Sequence, residues 1–128
     1  MNKNTNKRPI YLNLVKIRLP LTGIVSLAHR ATGVLLFLSI PLAVYLLDLS
    51  VSSAEGFQYV RQTLNQPFML VVQIILLWSF AHHFFAGIRF LLIDADIGVE
   101  KVPSRVGAWL VVIAEVVTLL IIVCAVGL

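Results

Sequence analysis

Three long stretches of the chain are almost free of charge, and the polar positions collect between them. Across residues 20–47 the side chains are apolar apart from Thr22, Ser26, His29, Arg30, Thr32 and Ser39, and 31–47 holds no charge. Residues 67–88 carry no formal charge and contain Trp78, several Phe and the pair His82-His83. Residues 106–128 are interrupted only by Glu115. A helix needs about 20 apolar residues to cross a bilayer, so the pattern predicts spans at roughly 21–47, 67–89 and 106–128. Pro20 suits a helix start, and Pro41, inside the first span, predicts a bend that neighbouring helices can repack around. The polar segment 48–66 predicts a first loop with space for a short surface helix, and 89–105 a second loop. One all-α membrane domain over 1–128 is expected, with no internal repeat.

Composition removes the other classes. Of 128 residues, 59% are apolar and only 12% charged, and the mean hydropathy is +0.96. A soluble domain runs at about 25% charged, and a disordered chain is poorer in apolar residues still. The single Cys124 excludes disulfide frameworks, CxxCH haem attachment, zinc ribbons and self-contained iron–sulfur ligation; an inert packing role is expected for it. The N-terminal segment resembles neither a cleavable signal peptide nor a transit peptide, because Lys16 and Arg18 interrupt it and no short apolar core precedes a cleavage site. A bacterial inner-membrane protein is expected ahead of a mitochondrial one.

The net charge of +4 is unevenly spread: Lys3, Lys7, Arg8, Lys16, Arg18 and Arg30 are six of the ten cationic residues. Lys and Arg in short loops set membrane orientation. The first loop has only Arg61, the second has Arg89, Lys101 and Arg105, and the C-terminus has none. The N-terminus and second loop are therefore expected on the cytoplasmic (or matrix) side.

Ionisable groups inside a span are costly and point to function. At 1.5 Å per residue, His83 lies about 24 Å from Pro67 and about 9 Å from Arg89, in the cytoplasmic half. Arg30, about 15 Å along its helix from Pro20, belongs to the same half. Two helices thus bring imidazole and guanidinium groups to similar depth. Ser26, His29 and Arg30 share one helical face by their i, i+3 and i+4 spacing. They suit a quinone carbonyl or haem propionates; equally, Ser26 can bond its own helix and Arg30 can snorkel to lipid phosphate.

His83 precedes Gly87 by four residues, so the helix below the imidazole is bare backbone that a flat macrocycle can approach, and His is the usual haem ligand in such a setting. His82 points about 100° away and cannot serve that face. A polar bridge between packed helices is the competing role for either His. A bis-His haem built here needs His29 or a histidine from another subunit. Glu115 lies about 14 Å into the third span, where it is either a proton-relay carboxylate or a group bonded to a neighbouring helix.

The residues Arg8-Pro9-Ile10-Tyr11-Leu12-Asn13-Leu14, Ile17-Arg18-Leu19-Pro20, Ser26-Leu27-Ala28-His29-Arg30 and Thr32-Gly33, with His83-Phe84-Phe85-Ala86-Gly87-Ile88-Arg89 and then Asp94 in an H-x-x-x-G-x-R…D pattern, resemble the succinate dehydrogenase cytochrome b subunit family, the larger of the two membrane anchors of respiratory complex II. The resemblance implies that His83 is an axial ligand of haem b, with the other ligand on the second anchor. It implies that Ser26 and Arg30 line the ubiquinone site, and that His29 and Arg30 meet the haem propionates. Partners implied are a flavoprotein carrying FAD, an iron–sulfur subunit and the second small anchor, and no catalytic residue falls on this chain. Electrons from succinate would reach quinone beside Ser26 and Arg30, and the protein would supply position and electrostatics.

Phe90 stands where some family members have a second His, which removes a propionate contact there, and Glu115 lies outside the family pattern. The rivals are a small proton-coupled transporter using Glu115 and an anchor without haem.

Overall fold

The computed structural model describes residues 18–126. The basic residues before Arg18, the motif 8–14 with Ile17, and the last two residues of the predicted third span lie outside them. Four helices follow in order: α1 (Leu21–Ser52), α2 (Ala54–Leu64), α3 (Pro67–Asp94) and α4 (Lys101–Val126). No strand occurs among the described residues. α1, α3 and α4 are long and apolar enough to cross a membrane, and α2 is the surface helix of the first loop.

α1 begins on Pro20, whose extended backbone turns its carbonyl to accept from Gly23 N at 2.9 Å and Ile24 N at 3.1 Å. The helix continues through Pro41 to Ser52, although Pro41 has no N–H for the carbonyl four residues earlier. Ser53, extended at φ −161° and ψ 164°, separates α1 from α2 and accepts the Gly56 N–H on its hydroxyl at 2.9 Å. That is an N-cap contact. A Cβ on Gly56 would collide with the Leu49 carbonyl oxygen, so the first turn of α2 lies directly on the end of α1.

The helices overrun the predicted spans. α1 extends past 47, α3 reaches Asp94 and α4 starts at Lys101, so the connection expected over 89–105 shrinks to 95–100. Apolarity marks where hydrocarbon ends, whereas a helix ends where its backbone is capped. α3 is closed by Asp96 N to Ile93 O at 2.9 Å and Ile97 N to Leu92 O at 2.8 Å, with Asp96 at φ 60°. This is a Schellman motif. Arg89, expected at a helix end, lies inside α3.

α3 packs along both α1 and α4, and α1 also touches α4. The buried apolar centre is Val25, Ala86, Ala108 and Val111, flanked by Leu21, Phe85, Phe90 and Val112. Ala86 and Ala108 are fully buried, as small residues at membrane helix contacts are, because they let backbones approach. Large side chains such as Phe37, Leu38, Phe68 and Leu91 are exposed on the outside, a surface suited to lipid or other apolar helices.

Candidate functional site

The two adjacent histidines of α3 enter separate environments, as their offset on the helix requires. His83 meets α1. Its Nδ1 is 3.0 Å from the His29 carbonyl oxygen, and a carbonyl only accepts, so Nδ1 carries the proton. A neutral ring then presents Nε2 as a lone pair. A carbonyl that fixes the tautomer in this way is the usual support of a metal-binding histidine.

The His29 and His83 rings stack with centroids 4.0 Å apart and planes 8° from parallel. Phe90 lies against the His29 ring at 5.1 Å. Thr32, fully buried, donates to the carbonyls of Ala28 at 2.9 Å and His29 at 3.0 Å, so the His29 carbonyl holds both a threonine and an imidazole donor.

Gly33 makes the stack possible, and Gly87 lies beside it. A Cβ on Gly33 would meet His83 Cε1 at 2.9 Å, and a Cβ on Gly87 would lie 3.7 Å from His29 Nε2. The backbone at Gly87, the face expected to receive a macrocycle, lies beside the His29 imidazole. The glycine beneath His83 is Gly33 on α1. Helical spacing from His29 could have pointed to Gly33, since the two are four residues apart.

His82 is buried and pairs with Glu115 of α4, Nδ1 to Oε2 at 2.5 Å, while Nε2 donates to the Val25 carbonyl at 3.3 Å. Glu115 is thus bonded to a neighbouring helix. Leaving either member alone in the core would cost on the order of 3–5 kcal/mol. Trp78 covers the His82 ring at 5.7 Å.

Arg89 is 8% exposed and donates through Nη2 to Ser104 Oγ at 2.9 Å and Ser104 O at 3.3 Å. Gly107 packs beside its side chain, with Nε lying 3.5 Å from the position of an added Cβ. Nothing in the sequence marked Ser104, because that segment reads as loop. Ser26 is half-buried on α1 while Arg30 and Cys124 are exposed, so Cys124 does not pack within this chain.

Fold and site together define a helical membrane protein of three spans with a histidine cluster held between them. The model of the succinate dehydrogenase/fumarate reductase transmembrane subunit family matches residues 4–123, and the chain belongs to that family. Succinate dehydrogenase cytochrome b556 subunits from Coxiella burnetii and Paracoccus denitrificans are 36% identical over 117 residues and 31% over 97. These alignments cover 90% and 76% of this chain and 93% and 75% of the relatives. The cytochrome b560 subunit of Reclinomonas americana is 32% identical over 105 residues, 78% of this chain and 72% of the relative. The chain is a membrane subunit of succinate dehydrogenase, which takes the place of the transporter raised for Glu115.

Proposed function

We propose that this chain binds haem b and ubiquinone as the larger membrane anchor of a succinate:quinone oxidoreductase in a bacterial inner membrane, with its N-terminus cytoplasmic. The observation that carries the reading is the His83 Nδ1–H bond to the His29 carbonyl, which leaves Nε2 as a neutral donor for iron. Two parallel imidazoles stacked face to face cannot both aim a nitrogen at one iron between them. As the family resemblance implies, a second ligand would come from the second small anchor, and His29 with Arg30 would meet the edge of the cofactor. Bound haem supplies one-electron storage at a potential set by its ligands and surroundings.

Ser26 and Arg30 bind the quinone headgroup. The Ser26 hydroxyl orients a carbonyl, and the Arg30 guanidinium favours negative charge on the quinone oxygen. The exposure of Arg30 fits a pocket completed by the second anchor and the iron–sulfur subunit. FAD and the iron–sulfur clusters belong to the two soluble subunits, which pass electrons from succinate to ubiquinone, and no catalytic group is assigned to this chain.

The test is a reduced-minus-oxidised absorption spectrum of the purified complex, with copurifying chains identified by mass spectrometry. A b-type band with flavoprotein, iron–sulfur and second-anchor chains is expected, and His83→Ala should abolish the band while those chains still copurify. The same partners without haem in the wild type would leave an anchor without haem. An unchanged spectrum in His83→Ala would remove the ligand assignment.

A further inference from the structure

His82 and Glu115 have no part in the sites proposed above, yet both are buried mid-helix among apolar residues. His82 Nε2–H donates to the Val25 carbonyl, so that this nitrogen is protonated, and one further proton lies between Nδ1 and Glu115 Oε2. With the proton on either atom the pair is neutral overall, which makes its burial tolerable. These bonds tie α3 to α1 and to α4 at one level.

The next residue, His83, is tied to the carbonyl of His29, one turn beyond Val25 on the same helix. Consecutive residues of α3 are thus fastened to consecutive turns of α1, about 100° apart around the α3 axis. One attachment would allow the helix to roll; two at that angle, one of them also anchored to α4, prevent it. Arg89 also holds α3 to α4 through Ser104, whereas the side-chain bonds that fix α3 against α1 are those of His82 and His83. Any roll carries the His83 ring with it, against the backbone at Gly33.

We propose that the His82–Glu115 pair is a positioning element for the haem ligand: it sets the rotation of α3, and so the plane of the His83 imidazole and the direction of Nε2. This rests on His83 being that ligand. The pair touches neither haem nor quinone, so its effect appears in the electronic signature of the haem before its occupancy. The g values of a low-spin ferric haem respond to the relative orientation of its two axial rings, and its potential responds to how a ligand is supported.

The experiment uses the whole complex with three chains: wild type, Glu115→Gln, and the double variant His82→Leu/Glu115→Leu. The glutamine amide can still donate to or accept from His82 Nδ1. The double variant removes both polar groups, so no unpaired buried charge is left to unfold the bundle. Expected are full haem occupancy in all three, wild-type g values and midpoint potential in Glu115→Gln, and a shifted or broadened low-field g signal with an altered potential in the double variant. Wild-type g values and potential in a haem-replete double variant would overturn the proposal. So would failure of the double variant to assemble while Glu115→Gln assembles, since the pair would then hold the bundle together without orienting the ring. A wild-type complex without a haem band overturns the underlying reading instead, and is seen before any variant is made.

Discussion

Gly33 shows how closely the histidine cluster depends on what is absent from a side chain. His83 Cε1 lies 2.9 Å from where a Cβ on Gly33 would be, closer than such atoms approach, and the ring cannot retreat without losing its bond to the His29 carbonyl. Gly33→Ala is therefore expected to displace the imidazole and remove most of the haem while the anchor stays in the complex. Haem per flavin in the purified enzyme checks this, and a ratio equal to wild type would count against it. The neighbouring histidines were separable from the sequence, because a helix turns about 100° per residue. Their partners were not: Val25 and His29 contribute backbone carbonyls, which no residue pattern advertises, and Glu115 meets His82 across 33 positions of chain.

The helices carry a second lesson about where elements end. Charge at 89–105 reads as a loop, yet α3 runs to a Schellman cap at Asp96 and α4 begins at Lys101, so Arg89 and Ser104 face one another on adjacent helices. The Arg89–Ser104 contact joins α3 to α4 near the short connection. Ser104→Ala removes the hydroxyl acceptor from a buried guanidinium, whose Nε already lacks a partner. A loss of about 1–3 kcal/mol is expected, read as a lower melting temperature of the detergent-solubilised complex. An unchanged melting temperature would show that the contact adds nothing to α3–α4 packing.

Seen as one body, the described bundle buries the polar side chains of Thr32, Ser79, His82, Arg89 and Glu115 and leaves large apolar side chains on its outside. Arg30 and Ser26 on α1 are exposed and half-buried respectively, and they give the molecule a polar site that other chains can complete. Arg30→Ala and Ser26→Ala are expected to lower kcat/KM for quinone by roughly tenfold or more, the loss of a hydrogen bond to a charged group in the first case. Succinate oxidation by a soluble dye should stay near wild type. Equal loss in both assays would point to failed assembly of the enzyme and against a quinone role.

Three spans and a membrane location could be read from the order of residues alone, because hydrocarbon tolerates so few polar side chains that their positions mark the crossings. The motifs around His29 and His83 carried the family likeness in the same way. Which imidazole faces which helix, the protonation of His83 Nδ1, the pairing of Glu115 and the use of Gly33 as a seat for a ring became visible only when α1, α3 and α4 were packed together. Those features are made by backbone carbonyls and missing side chains on distant turns, and they come into being through the contact of helices that are far apart in sequence.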